Sequence, residues 1–147
     1  METLVRRLGR IFSQNDRHGN RKMDRLENAL DRWLETASWR LPFRTLREEA
    51  DYLGTDSVTL FHFFEQRMKI DFRTWRNRLR LEDAKRMMLE DPGASTAEIA
   101  RRTGFSDRSN FSRAFLSYTG LTPAKWREKA RTSHDVPAPE NDYVYPK

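Results

Sequence analysis

The amino-acid sequence predicts an all-α fold made of two helix-turn-helix motifs joined by a long linker helix. Apolar residues recur every three or four positions through most of the chain, which is the spacing of one face of an α-helix. A pattern of capped helix, glycine turn and second helix also occurs twice, about 50 residues apart. No segment shows a convincing alternation of apolar and polar residues, as a half-buried strand would.

The N-terminal part of the chain divides into a basic segment and a first helix. Residues 1–22 are polar and basic, and we predict a flexible segment there. From residue 23 the recurrence of apolar residues predicts a helix, which cannot continue past the proline at position 42. The residues on its apolar face are Leu26, Leu30, Trp33 and Ala37.

Residues 45–70 are predicted to form the first motif. Thr45 and Glu48 have the spacing of a capping box, in which each side chain accepts a hydrogen bond from a backbone N–H at the start of the helix. Gly54 suits the left-handed conformation that ends this helix. A second helix, here called the reading helix, follows it.

Residues 95–118 are predicted to form the second motif. Ser95 and Glu98 repeat the capping box, and Gly104 repeats the turn. In each motif two adjacent residues are candidates to cap the reading helix: Asp56 or Ser57 in the first, and Ser106 or Asp107 in the second.

The remaining segments link and close the two motifs. One long helix is predicted over residues 72–90, and the Asp-Pro-Gly that follows ends it. A short closing helix is predicted over 122–131, with Pro123 in the first turn, where its missing N–H does no harm. Residues 132–147 contain three prolines and show no periodicity, so we predict a disordered tail.

The two motifs match each other at nine positions. Four pairs share an offset of 50 residues: Thr45 and Ser95, Glu48 and Glu98, Ala50 and Ala100, Gly54 and Gly104. Five pairs share an offset of 51: Leu60 and Phe111, Phe64 and Phe115, Ile70 and Leu121, Trp75 and Trp126, Arg76 and Arg127. The small alanine before each glycine lets the two helices cross closely, as in a helix-turn-helix, although another helical hairpin could share this feature. Two copies of the motif in a basic chain favour DNA binding.

The composition points to an acidic partner and away from catalysis. The 28 Lys and Arg against 22 Asp and Glu leave a net charge of +6, which is typical of nucleic-acid binding. A basic protein without a polyanionic partner remains the alternative. Cysteine is absent, and the three histidines are far apart and lack metal-ligand spacing. We therefore expect no enzyme activity, no cofactor and no metal.

The segment "IARRTGFSDRSNFSRAFLSYTGLTPAKWR", Ile99 to Arg127, resembles the signature of AraC/XylS-type bacterial transcription regulators. The preceding "LRLEDAKRMM" resembles the linker helix of that family. The resemblance implies two homeodomain-like three-helix subdomains that enter successive major-groove segments of double-stranded DNA. A linker of about 18 residues is about 27 Å long. It is therefore suited to holding two reading helices roughly one DNA turn apart.

The resemblance also implies which residues contact DNA. The base-reading positions of the family fall on Arg108, Ser109, Asn110, Ser112 and Arg113. Arginine bonds guanine bidentately, and asparagine does the same with adenine. Phosphate contacts are expected from Arg101, Arg102 and Ser106, although a solvated arginine is an equal alternative for the first two.

Several neighbouring residues are assigned structural roles. Asp107 is expected to cap the reading helix rather than to read a base. The residues expected in the core are Phe105, Phe111, Ala114, Phe115, Trp75 and Trp126. Three linker arginines, Arg76, Arg78 and Arg80, are expected to pair with Glu82 and Asp83 rather than to face DNA.

The first motif departs from the family pattern. It carries Phe61, His62 and Glu65 where the family has polar or basic residues, and Lys69 where it has glycine. The weaker DNA candidates of this motif are Ser57, Val58, Phe61 and His62. Phe61 suits a thymine methyl or a protein surface. A helical protein-interaction module on a degenerate helix-turn-helix scaffold therefore remains the alternative function.

Partners and location follow from the resemblance. Double-stranded DNA is the expected partner, RNA polymerase is a second candidate, and no small-molecule site is recognisable. The sequence predicts no oligomeric state. The chain is expected in the cytoplasm at the nucleoid, as a stand-alone regulator or as the output end of a longer protein. In the second case the basic "VRRLGRIF" suggests a connection to a membrane-anchored sensor.

Overall fold

The computed structural model describes residues 17–133 of the 147-residue chain. The flanking residues, which include the "VRRLGRIF" segment and nearly all of the predicted tail, lie outside the described part. Within residues 17–133 there are seven α-helices and no strand, which confirms the predicted all-α class. The helices are α1 Arg17–Glu35, α2 Leu46–Tyr52, α3 Ser57–Phe63, α4 Phe72–Glu90, α5 Thr96–Thr103, α6 Arg108–Thr119 and α7 Pro123–Thr132.

The helices belong to two compact bodies. The N-terminal body comprises residues 17–38 and 43–75 of the described chain, and the C-terminal body comprises residues 39–42 and 76–133. The first helix begins at Arg17, inside the segment for which flexibility was predicted. Residues 17–22 contain no apolar residue but include two arginines and a lysine, which favour helix nearly as well as leucine does.

The N-terminal body is built around aromatic residues. Trp75 is fully buried, as predicted, and its ring stacks on Trp33 at a centroid distance of 5.4 Å. Phe64 packs against the same tryptophan at 5.2 Å. Three of the four residues predicted on the apolar face of α1 are buried: Leu26, Leu30 and Trp33. The fourth, Ala37, lies beyond the helix in a left-handed conformation.

The caps follow the sequence pattern. Thr45 accepts a hydrogen bond from the backbone N–H of Glu48, and Ser95 does the same for Glu98, so both residues cap a helix as predicted. The Glu48 carboxylate accepts from the backbone N–H of Arg44 rather than from that of Thr45. Of the candidates for the reading helices, the aspartates are the caps. Asp56 caps α3 and Asp107 caps α6.

The two reading helices end in the same left-handed conformation. Gly120 ends α6 with φ 78°, and Lys69 ends the π-helical turn Phe64–Met68 that follows α3, with φ 57°. A lysine in this conformation is strained relative to glycine. The first motif thus keeps the backbone turn of the second without the residue that favours it.

The core of the C-terminal body is formed by α4, α5 and α6. Phe111 and Phe115 are fully buried, and their rings lie 5.6 Å apart. Trp126 of α7 packs edge-on against Phe115 at 6.0 Å, which supports its predicted role as a core anchor. Phe105 is buried and Ala114 is partly buried, so the predicted core of this motif is confirmed.

A buried carboxylate organises the start of the C-terminal body. Asp83 of α4 accepts hydrogen bonds from Arg40 Nε at 2.7 Å, Arg86 Nη2 at 2.7 Å and Trp39 Nε1 at 3.1 Å. Burial opposes ionisation of this carboxyl, but the three donors outweigh it and lower the pKa of Asp83.

The linker arginine Arg80 contacts a segment that the prediction of pairing with Glu82 and Asp83 did not include. This buried side chain donates to the backbone oxygens of Trp39 and Leu41, at 2.6 and 2.9 Å. Glu82 accepts instead from Lys85 and from the hydroxyl of Tyr118. The partners lie in a segment far away in the sequence, which no local spacing could indicate.

Candidate nucleic-acid interface

The reading helix α6 has an apolar inner face and a polar outer face. Its inner face is held by Phe111 and Phe115, which are four residues apart and therefore lie on one side of the helix. Four of the five residues predicted to read bases are exposed: Arg108, Ser109, Asn110 and Arg113. The fifth, Ser112, is partly buried. The burial of two rings thus leaves the polar positions facing outward.

The N-terminus of α6 carries a chain of hydrogen bonds. The carboxylate of Asp107 accepts from the backbone N–H of Asn110 at 2.7 Å and from its Nδ2 at 3.1 Å. The same Nδ2 donates to Ser106 Oγ at 2.8 Å. The Asn110 Oδ1 accepts from Arg113 Nη2 at 2.5 Å. A guanidinium is thereby linked to the helix cap through one amide.

The residues predicted to contact phosphate lie on and just after α5. Arg101 is exposed. Arg102 is partly buried, and its Nη1 lies 3.3 Å from Asp91 Oδ2 in an ion pair. Ser106 is exposed and accepts the hydrogen bond from Asn110. We therefore expect Arg102 to offer less of its charge to a phosphate than Arg101 does.

The reading helix of the first motif, α3, presents a different surface. Val58 and Phe61 are 64% and 55% exposed, so this outer face is apolar where α6 is polar. His62 is exposed, with Nδ1 3.7 Å from Glu65 Oε2, and Ser57 is partly buried. The predicted positions are thus largely accessible, but they carry no unpaired basic group.

Charge is distributed unequally between the two bodies. Over residues 21–133, the C-terminal body has 14 Lys and Arg and 7 Asp and Glu, a net charge of +7. Over the same range the N-terminal body has 9 Lys and Arg and 10 Asp and Glu, a net charge of −1. Attraction of phosphate is therefore concentrated in the body that carries α6.

One candidate contact residue was not predicted from the sequence. Leu116 is 47% exposed on α6. It follows Ser112 by four residues and Arg113 by three, so it extends the same outward stripe by one turn. The signal was present in that spacing, but an apolar residue in a helix is usually assigned to the core.

Two features that would indicate other classes of function are a membrane-spanning helix and a cluster of metal-ligating side chains. Among the described helices, none combines the length and apolar character needed to cross a bilayer. In residues 17–133 no group of three or more metal-ligating side chains comes together.

Comparison with known proteins identifies the motif. The helix-turn-helix domain family matches residues 50–129. Over 80 residues the chain is 39% identical to the uncharacterized transcriptional regulatory protein YesN of Bacillus subtilis, covering 54% of this chain and 20% of that protein. Over 78 residues it is 35% identical to the arabinose operon regulatory protein of Escherichia coli, covering 53% of this chain and 26% of that protein. The chain thus spans about a quarter of the length of these relatives, or less.

Solved structures support the same fold. A protein of unknown function from Listeria innocua superposes with a TM-score of 0.61 and 26% identity, covering 70% of this chain and 94% of that one. The C-terminal domain of AraT, a response regulator from Geobacillus stearothermophilus, superposes with a TM-score of 0.57 and 22% identity. The match covers 92% of this chain and 95% of that one. YesN and the arabinose operon regulatory protein are regulators by name, which does not favour the protein-interaction alternative.

Proposed function

The chain belongs to the AraC-type family of helix-turn-helix transcription regulators, and on that premise we propose that it binds specific sites in double-stranded DNA and regulates bacterial transcription. This family is not a class of enzymes. The proposal assigns DNA recognition chiefly to the second motif, with α6 as the helix that enters the major groove.

The observation that carries the proposal is the outer face of α6. Arg108, Ser109 and Arg113 are exposed on a helix whose inner face is fully buried, within a body of net charge +7. Residues in the N-terminal part of a recognition helix contact base edges in the major groove. Arginine at these positions suits the O6 and N7 acceptors of guanine.

Phosphate contacts complete the proposed mode. Arg101 on α5 and Ser106 before α6 precede the base-reading residues in the sequence, and both are exposed. In a helix-turn-helix the first helix crosses the DNA backbone while the second enters the groove. Arg101, Arg102 and Ser106 would then set the register of α6, and the base-reading residues would supply sequence information.

The first motif would contribute through apolar contact. Val58 and Phe61 are its most exposed large side chains, and Ser57 and His62 flank them in the sequence. The C5-methyl group of thymine is the apolar feature of the major groove. We therefore assign the first motif a weaker role, with a preference for thymine and little attraction for phosphate.

Selection of bound duplexes from a random DNA pool tests the proposal. We expect one enriched motif that contains a guanine contacted by α6. If α3 also reads DNA, a second half-site should lie about ten base pairs away. Arg113→Ala should remove the preference for guanine at the position that Arg113 contacts. Arg32→Ala, which removes an exposed charge from α1, should preserve it. Failure to enrich any motif would refute sequence-specific binding.

A further inference from the structure

Both N–H groups of the Asn110 side-chain amide already donate hydrogen bonds, and its oxygen already accepts one. Its two N–H groups face Ser106 Oγ at 2.8 Å and Asp107 Oδ2 at 3.1 Å. Its oxygen accepts from Arg113 Nη2 at 2.5 Å. Adenine recognition by asparagine uses this oxygen and this nitrogen together. Reading adenine would therefore require Asn110 to give up one of the hydrogen bonds that its nitrogen makes to Ser106 and Asp107.

Helix capping does not explain the choice of asparagine at this position. Two other helices of the chain begin with an aspartate whose carboxylate binds both the backbone N–H and the side chain three residues later. Thr59 completes this pattern with Asp56, and Thr74 completes it with Asp71, through hydroxyl bonds of 2.8 and 2.6 Å. A threonine is thus sufficient for the cap. What an asparagine adds is a second donor, which binds Ser106 Oγ, and an acceptor for the side chain one turn further along the helix.

The corresponding position in the first motif shows the contrast. Thr59 corresponds to Asn110 in the repeat, and His62 corresponds to Arg113. In that motif the basic residue faces Glu65, at 3.7 Å, on its C-terminal side. In the second motif the arginine is instead held by the N-terminal cap, at the end of the helix that meets base edges.

From this geometry we infer that Asn110 is a positioning residue: it holds the Arg113 guanidinium, through a hydrogen bond to Nη2, ready to bind guanine, and does not itself read adenine. The inference rests on the proposed DNA-binding function. An arginine side chain loses much rotamer freedom when it binds a base bidentately. Partial ordering before binding lowers that loss.

The test compares two variants of the whole chain. Asn110→Thr keeps the cap that Thr59 and Thr74 make, but it removes the amide oxygen that accepts from Arg113. Asn110→Ala removes the side-chain part of the cap as well. On the duplex enriched by wild-type protein, we expect Asn110→Thr to weaken binding by roughly 2- to 12-fold, the range for ordering one long side chain. In the Arg113→Ala background the same substitution should change affinity less than twofold.

Modified DNA identifies the base. Replacing the contacted guanine by 7-deazaguanine removes the N7 acceptor. We expect this to weaken wild-type binding by roughly 5- to 150-fold, and to weaken Asn110→Thr by less. The inference would be overturned if Asn110→Thr lost a preference for adenine at another position while its sensitivity to 7-deazaguanine stayed the same.

A measurement on the free protein separates this inference from the proposed function. Nitrogen relaxation of the Arg113 Nε–H group should give a higher order parameter in wild type than in Asn110→Thr, with thermal unfolding unchanged. Equal order parameters would refute the positioning role even if the protein binds DNA. A difference between them, with no enriched DNA, would refute the proposed function and the guanine assignment together, leaving only the side-chain contact.

Discussion

Gly104 lies directly against the main chain of Trp39. A Cβ at position 104 would be 2.7 Å from the Trp39 carbonyl oxygen and 2.9 Å from the backbone of Arg40. The residue also has φ 99°, in the left-handed region. The turn of the second motif thus needs glycine for two reasons, since its conformation disfavours a side chain and its surroundings leave no room for one.

The corresponding glycine of the first motif provides a matched control. Gly54 has φ 73°, but a Cβ at position 54 would have no neighbouring atom within 4 Å. We expect Gly54→Ala to cost about 1–2 kcal/mol of unfolding free energy, for the left-handed conformation alone. Gly104→Ala should cost a further ~1–3 kcal/mol, for the steric overlap. Urea unfolding of the two variants measures the difference, and equal losses would contradict the close contact.

The hydrogen bonds of the buried Asp83 carboxylate should make the free energy of unfolding depend on pH. Burial opposes ionisation, but hydrogen bonds from Arg40, Arg86 and Trp39 hold the pKa of Asp83 below its ordinary value. The unfolded chain therefore binds this proton at higher pH than the folded chain does. The contribution of Asp83 is fully present above the ordinary aspartate pKa of about 3.9 and is lost as pH falls through the lower folded value.

The variant Asp83→Asn should remove that dependence. We expect it to lower the unfolding free energy by roughly 1–3 kcal/mol at pH 7, because it weakens the hydrogen bonds of partly exposed arginines. The loss should shrink as the pH approaches 3. Urea unfolding between pH 3 and 7 measures it, with Asp51→Asn as an exposed control for net charge. A loss that stays constant with pH would show that Asp83 acts through packing alone.

Phosphate and base contacts should differ in their salt dependence. Arg101→Ala is expected to weaken binding about equally for all sequences and to reduce the slope of log affinity against log salt by about 1. Arg102→Ala should do less, because its guanidinium already pairs with Asp91. Arg113→Ala should instead relax specificity at one position by about 1–3 kcal/mol. Binding titrations with the specific duplex and with random duplexes, at several salt concentrations, test these expectations. If Arg101→Ala and Arg102→Ala changed the salt slope equally, the ion pair would have no effect on phosphate binding.

The exposed Phe61 should affect DNA binding without affecting stability. Because the side chain is 55% exposed, Phe61→Ser is expected to change the unfolding free energy by less than about 0.5 kcal/mol. Its neighbour Phe63 is fully buried, and Phe63→Ala should cost about 3–5 kcal/mol. If Phe61 contacts a thymine methyl, replacing that thymine by uracil should weaken wild-type binding and leave Phe61→Ser unaffected. If uracil weakened binding equally for wild type and Phe61→Ser, Phe61 would not contact a thymine methyl.

Much of the fold followed from short-range patterns. The N-caps Thr45 and Ser95, the linker helix and the inner phenylalanines of α6 were all predicted. Each depends on residues three or four positions apart, and a helix brings such residues together wherever it lies in the molecule. For the same reason the outward positions of α6 could be assigned once Phe111 and Phe115 were placed inside.

The partners of polar side chains depend on contacts between distant segments. Arg40 and Asp83 are 43 residues apart, and neither has a local feature that indicates the other. The sequence likewise requires a flexible residue at Gly104, but the contact with Trp39 arises only from the path of the folded chain. The bond from Arg113 to Asn110 depends on side-chain rotamers, which the Asp107 cap selects and residue spacing does not. Helical periodicity thus determines which residues face outward, and tertiary packing determines what each of them can still bind.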